Sequence, residues 1–325
     1  MHSSHKSLSI ALATFNGAAY LTEQLQSFVT QSRLPDELIV CDDCSNDSTV
    51  ELLRAFAANA PFAVTIHRNP SRLGPTQGFA RAISLCKSDL IALSDQDDFW
   101  HPEKLARMEA CLVENPLIYA VSCNAEIVDE ALRPIGLNVW DRVGLSRGLP
   151  GQAGRELPLS SLLKRYRIQG ATLVFRSELT EVIEPIPKYW NHDAWIAIIA
   201  ASLGKLWVIP QCLQSYRQHS SNVVGARPPS MLEKIRHGLE ISREAYYREE
   251  VEKFSTLLDR LSEASNASTP AIAEVAEKFK HLSFRETMPE SRWLRWTSVL
   301  RELRTGRYRR YATDWRSIAF DLFGT

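Results

Sequence analysis

The sequence predicts an α/β protein: a mostly parallel central sheet covered by helices on both faces, followed by a helical C-terminal extension. Three observations carry this. Short apolar runs alternate with segments of helical periodicity up to about Gly225. Several of the runs end in a polar cluster or in turn chemistry. Beyond Arg227-Pro228-Pro229-Ser230 the pattern turns helical, with charged residues mixed among Leu, Phe and Tyr.

The elements follow in order. Leu8 to Ala13 is an apolar run closing on Thr14-Phe15-Asn16-Gly17, a strand and its turn. Leu21, Leu25, Phe28 and Val29 recur at helical spacing, and the stretch from Gln31 to Pro35 ends that helix. Leu38 to Cys41 reads as the second strand. Val50, Leu53 and Ala57 mark the inner face of a second helix, with Ser45 and Asp47 as its expected caps. Val64 to His67 is a third strand, Gly78 to Cys86 a helix, and Leu90 to Ser94 a fourth strand. Tyr119 to Cys123, Ala171 to Phe175 and Leu206 to Ile209 add later strands. Between them Arg133 to Pro158, rich in Gly, Pro and Arg, reads as a long mobile loop. The expected organisation is an α/β domain over residues 1–226, with halves divided near residue 130, and a helical extension over 227–325. In sheets of this kind ligands bind beyond the carboxyl ends of the strands, where the polar clusters fall.

Composition narrows the class. The 325 residues are 45% hydrophobic and 23% charged, and 38 Lys and Arg balance 38 Asp and Glu. Bulk charge therefore does not point to nucleic acid. The six cysteines are dispersed, mostly in apolar runs, and read as reduced, buried thiols of a cytosolic protein. The N-terminus lacks an apolar segment followed by a small-residue cleavage site, so no signal peptide is expected. The apolar stretch Trp195 to Leu213 approaches membrane-spanning length, but Gly204-Lys205 and Pro210 break it into a helix and a strand.

The most informative cluster is LIALSDQDDFWHP, Leu90 to Pro102. Asp95, Asp97 and Asp98 abut an apolar strand, and three like charges so close repel one another unless a cation or strong donors sit among them. A hard divalent ion held by one or two carboxylates plus a diphosphate would compensate them; capping of the helix near Pro102 could explain only Asp98. In IVCDDCSND the spacing of Cys41 and Cys44 suggests zinc or redox chemistry, but no second Cys-x-x-Cys or His-x-x-x-His completes a zinc site. The two intervening acids would also raise a thiol pKa. The weight falls on Asp42 and Asp43, placed to accept hydrogen bonds from a base or ribose, with an ordinary Asx turn as the alternative.

The segments TFNGAAYLTEQLQSFVTQS, VCDDCSNDST and ALSDQDDFWHPEKL, in that order and spacing, resemble the inverting family-two glycosyltransferases of the GT-A fold. The resemblance covers about Leu8 to Gly225. Cys44 stands where that family commonly has Gly. Within it, the Ser-Asp-Gln-Asp-Asp-x-Trp form is similar to a branch containing rhamnosyltransferases of surface polysaccharide assembly. The resemblance implies that Ala13, Thr14, Phe15, Asn16, Asp42 and Asp43 line the nucleotide, with Asp43 accepting from a pyrimidine N3–H. It implies that Asp95 faces the ribose or donor sugar, that Asp97 binds Mg2+ or Mn2+ bridging the phosphates, and that Arg81 adds a phosphate or sugar contact. In KYWNHDAW, Asp193 would be the general base, with His192 in place of the commoner Glu; capping of the following helix is its alternative. In YRQHSSN, His219 would approach the metal or diphosphate. The donor would be dTDP- or UDP-linked, and the acceptor a saccharide or lipid-linked saccharide.

Ser291 to Thr325 holds eight arginines, no lysine and three acids, interleaved with aromatics. An anionic membrane surface fits this pattern, giving an expected cytoplasmic protein, peripheral at the inner face of the membrane. A helix docked on the catalytic body, or a dimer contact, fits it too. Two other functions share parts of the pattern. A sugar nucleotidyltransferase would want a Gly-rich basic loop after the first strand, and Thr14 to Tyr20 has no basic residue. A non-catalytic nucleotide-sugar binding subunit would tolerate loss of the acids.

Overall fold

The computed structural model describes residues 5–145, 154–220, 242–312 and 315–324. The chain forms two compact units, one of Met1–Leu157 with Arg167–Val223, the other of Pro158–Tyr166 with Val224–Thr325.

The first unit holds a ten-stranded sheet. Its parallel half is made of β1 (Leu8–Thr14), β2 (Glu37–Asp42), β3 (Ala63–Arg68) and β4 (Leu90–Ser94), in the order β3-β2-β1-β4. Helices α1 (Leu21–Val29), α2 (Thr49–Ala57) and α3 (Pro75–Leu85) make the crossovers. β1, β2 and β4 are buried along almost their whole length, and their continuous apolar runs are what a strand covered on both faces requires. Leu12, Leu25, Phe28 and Val40 pack into one core with Trp100, whose ring meets Phe28 edge-on at 4.7 Å.

The remainder of the unit runs through β5 (Phe99–Trp100), α4 (Lys104–Glu114), β6 (Ile118–Val128), β7 (Pro134–Asn138), α5 (Val139–Val143) and β8 (Arg155–Glu156). After α6 (Leu159–Lys164), which belongs to the second unit, come β9 (Leu173–Arg176), α7 (Thr180–Ile183), α8 (His192–Leu203) and β10 (Lys205–Arg217). β9 lies antiparallel between β4 and β6, while β10 runs parallel to β6 and carries β5 on its outer edge. β10 is far longer than the predicted Leu206 to Ile209. Register shifts on both sides of Cys212 absorb Pro210, so the chain stays paired with β6 as far as Arg217. That extension carries the residues after Arg217 to the carboxyl end of the sheet.

Several local expectations are corrected. Arg133 to Pro158 is not a structureless loop: β7 pairs with β6, and α5 is capped by the Asn138 side chain, which accepts from the Asp141 amide; residues 146–153 of that prediction lie outside the described residues. Asp47 accepts from the Thr49 amide at the start of α2, whereas the Ser45 hydroxyl donates to Asp42 instead. Asp98 caps no helix, since α4 begins only at Lys104. Cys41 and Cys123 are buried, but Cys212 is exposed, and all six thiols are free. No described helix is long and apolar enough to cross a membrane.

In the second unit α9 (Arg243–Glu263) packs on α10 (Thr269–Glu286), and Ser242 and Ser268 accept from the third amide beyond them as caps. α11 (Arg292–Arg304), α12 (Arg307–Tyr311) and α13 (Trp315–Phe323) follow. They are tied in by buried polar bonds: Arg285 Nε donates to Asp321 at 2.7 Å, and His281 Nδ1 lies 2.7 Å from Glu302.

Candidate active site

The carboxyl ends of β1, β2 and β4 are locked together by short polar side chains. Thr14 Oγ1 donates to Asp42 at 3.0 Å, and the Asp43 amide donates to the Thr14 carbonyl at 2.7 Å. Ser45 donates to the same Asp42 carboxylate and accepts from the Asn16 amide at 2.9 Å. Asp42, predicted to face a base or ribose with Asp43, is therefore fully buried and holds the turn from within. Asn16 closes the same turn, accepting from the Asn46 amide at 2.9 Å. Ala13 and Phe15 lie half-buried beside it, and both polar atoms of the Phe15 backbone pair with the Gln96 amide, at 2.9 and 3.0 Å.

Asp43 has a structural task as well. Its carboxylate accepts from the Leu73 amide at 2.7 Å, the Gly74 amide at 2.9 Å and Asn69 Nδ2 at 2.9 Å, gathering the loop after β3. A carboxylate offers about four lone-pair sites, so these three bonds leave room for one more donor. Arg81 donates to Asn69 Oδ1 at 2.6 Å and so supports this loop. Cys44 explains the family's glycine: its φ is +66°, the left-handed region, and its Sγ donates to the Asn69 carbonyl at 3.1 Å.

The acids after β4 divide by environment. Asp98 is fully buried, accepting from Gln214 Nε2 at 3.1 Å and the Arg217 amide at 3.2 Å; burial first, then Asp97 and Asp95, push its carboxyl well above the usual range. Burial, followed by the charges of Asp97 and Asp193, raises Asp95 to about 7. Beneath them lies Lys104, fully buried, its ammonium 3.6 Å from the Trp100 ring centroid and donating to the Ala171 carbonyl and to Gln214; burial lowers it to about 8.

Asp97 and His219 are brought together, Oδ2 to Nε2 at 2.8 Å, although 122 positions separate them. His219 is buried against the Tyr20 ring at 4.5 Å, and Arg217 Nε donates to the Asp97 carbonyl oxygen at 2.8 Å. Among the described residues no group of three or more His, Cys, Asp or Glu is placed to hold a metal ion by protein ligands alone. The donor set fits an ion shared with a ligand instead. Asp97 and His219 would hold such an ion through a carboxylate oxygen and an imidazole nitrogen, in exchange for the hydrogen bond that now joins them. Asp95 and Asp98, raised first by burial and then by neighbouring carboxylates, crowd the same place, and added positive charge would relieve the repulsive part of that shift.

Asp193 sits in the first turn of α8 and is not its N-cap, a position Asn191 occupies, although it accepts from a first-turn amide as the capping alternative requires. Its carboxylate accepts from the Gly170 amide at 3.2 Å and the Ala194 amide at 2.8 Å, and its charge is felt at Asp95. His192 stacks on Phe79 with ring centroids 4.1 Å apart, and burial lowers its imidazole, which stays neutral there. Gly170 makes the approach possible, since a Cβ there would stand 2.7 Å from His192 Nε2.

Sequence reasoning missed four contributors: Gln96, Asn69, Lys104 and Arg72, whose guanidinium lies 3.8 Å above the Phe15 ring. For Asn69 and Arg72 a signal existed. Both lie in the NPSRLG stretch between the third strand and Pro75, beyond a carboxyl strand end. Lys104 had none, because an Asp-Asp-x-x-x-Pro-x-Lys run reads as a solvated helix start.

Residues 9–169 match the model for Glycosyl transferase family 2. The chain is 27% identical over 263 residues to the dTDP-rhamnosyl transferase RfbG of Shigella flexneri, covering 76% of this chain and 84% of that protein. Among solved structures it resembles the mannosyltransferase PcManGT of Pyrobaculum calidifontis, in complex with GDP-Man and Mn2+, at a TM-score of 0.56 and 17% identity over 94% of this chain and 76% of that one. TarS of S. aureus, in complex with UDP-GlcNAc, gives a TM-score of 0.56 and 16% identity over 86% and 72%.

Proposed function

We propose, from the premise that this chain is a glycosyltransferase carrying a family 2 domain over residues 9–169, that it transfers a sugar from a nucleoside diphosphate donor to a saccharide hydroxyl with inversion. The observation that carries this is the convergence of Asp193 with Asp95 and the Asp97–His219 pair at the carboxyl ends of one sheet. The nucleotide would lie over Ala13 to Asn16, with Asp43 accepting from the base and Asp95 facing the ribose or sugar. Asp97 and His219 would hold a divalent ion, Mg2+ or Mn2+, which when bound neutralises charge on the departing diphosphate. Asp193 takes the proton from the acceptor hydroxyl. The acceptor oxygen then forms its bond to the anomeric carbon as the bond to the diphosphate oxygen breaks on the opposite face. The amides of Gly170 and Ala194 hold the Asp193 carboxylate in place to accept that proton.

The similarity to a dTDP-rhamnosyl transferase supports rhamnose from dTDP as the donor to test first, ahead of UDP-sugars. The acceptor would be a growing surface polysaccharide, free or lipid-linked, and the protein would work at the inner face of the cytoplasmic membrane. The test is a pair of variants assayed with dTDP-rhamnose and Mn2+. Asp193→Asn keeps nucleotide binding and loses transfer, whereas Asp97→Asn loses the metal-dependent part of both. Comparable turnover by either variant would break its assignment.

A further inference from the structure

Helix α11 is inside out. Its buried residues are Arg295, Val299 and Glu302. Arg295 is 5% exposed and donates to the carbonyls of Pro289, Glu290, Asp321 and Gly324; Glu302 is 1% exposed, against His281 and Arg307. The opposite face carries Trp293, 84% exposed, then Trp296, Leu300, 52% exposed, and Leu303. Their spacing of three, four and three residues lines them along one stripe. Phe323, also exposed, meets Trp296 edge-on at 6.4 Å and widens it. Arg292 and Arg304 flank the stripe and Arg301 lies further round, all exposed. A helix packed only against its own protein buries its large apolar residues and wets its charges. This one does the reverse, and singly scattered apolar residues do not account for a contiguous row of four.

We propose that this stripe seats α11 in the interfacial region of an anionic phospholipid bilayer, a deepening of the membrane contact proposed above. The sign of the exposed charge selects this occupant. In α11 to α13 the exposed charged side chains are Arg292, Arg301, Arg304, Arg309, Arg310 and Arg316, while the described acids, Glu302 and Asp321, are both buried. A two-fold contact with a second copy would set this arginine rim against itself. A nucleic acid would satisfy the arginines but leave Leu300 and Leu303 without an apolar partner. At a bilayer surface the tryptophans and leucines enter the headgroup and acyl boundary while the guanidiniums meet lipid phosphates.

The full-length chain is mixed with vesicles of phosphatidylcholine alone or with phosphatidylglycerol, and the sedimented fraction and tryptophan emission are measured. Binding with a blue shift is expected for the anionic vesicles at low salt, falling as salt rises. Trp293→Ser with Trp296→Ser, and separately Arg301→Glu with Arg304→Glu, each weaken partitioning by about tenfold or more. All four side chains are exposed, so far-UV circular dichroism and the melting temperature stay at their parent values. Transfer to a soluble acceptor is measured alongside, so that loss of membrane binding and failure of the catalytic reading are told apart. Equal binding by parent and variants, or none by the parent, overturns the proposal. So does lipid-free, concentration-dependent dimerisation that the tryptophan substitutions abolish, which would make a second copy the occupant.

Discussion

Replacing Cys44 with glycine tests whether this residue is a reactive thiol or a strained substitute. At φ +66° a non-glycine residue carries a penalty of about 1–2 kcal/mol, which glycine removes. Against that relief stand the extra freedom of glycine in the unfolded chain, about 0.5–1 kcal/mol, and the loss of one thiol hydrogen bond to the Asn69 carbonyl, at most about 1 kcal/mol for a weak donor. The terms nearly cancel, so stability changes by less than about 1 kcal/mol and the melting temperature by less than about 4 °C. Cys44→Val keeps the unfavourable backbone, adds a β-branch and loses the hydrogen bond, so it falls by about 2 kcal/mol. Both variants are followed by thermal unfolding and by sugar transfer at saturating donor. If Cys44→Gly loses tenfold or more in transfer at unchanged stability, the thiol takes part in the chemistry and the backbone argument fails.

Gly170→Ala puts a Cβ 2.7 Å from the His192 ring, which Phe79 holds in place. The start of α8 shifts, and transfer falls by about tenfold to a hundredfold with nucleotide binding kept; adding His192→Ala restores part of the rate. Arg72→Ala removes the cation above Phe15 and raises the donor KM by about threefold at constant kcat, read from initial rates. Lys278, buried with its ammonium on the Tyr311 carbonyl, is lowered by burial from 10.5 to about 8. Between those values the unfolded chain holds a proton that the folded chain has released, so stability rises with pH across that window and the gain is lost as pH falls through 8. Lys278→Met removes this dependence and raises the melting temperature at pH 7. A pH slope identical in both proteins would show that the lysine is not buried as described.

Much of the candidate site was legible because it is local. β1, β2 and β4 announce themselves as apolar runs, and Asp43 and Asp95 follow a strand end by one residue each. Residues at such positions are delivered to one edge of a parallel sheet by chain direction alone. Legibility failed where a role depends on burial. Asp42 and Asp43 are neighbours in sequence, yet alternation along the strand turns the first inward onto Thr14 and Ser45 and leaves the second to organise a loop. Lys104 looks like a solvated helix residue and is instead closed over by Trp100, Ala171 and Gln214.

By itself the sequence determined the alternation of strands and helices, the acids at the strand ends and the arginine-aromatic character of the C-terminal stretch, because each is a property of adjacent residues. The family resemblance implied that Asp97 and His219 approach one metal, but only the tertiary structure brings the two side chains into contact, since this depends on register shifts around Pro210 letting β10 run on to Arg217. The tertiary structure alone decided which face of α11 is buried. Periodicity places Trp293, Trp296, Leu300 and Leu303 on one side, but only packing, which spends Arg295 on four carbonyls and Glu302 on His281, turns that side outward.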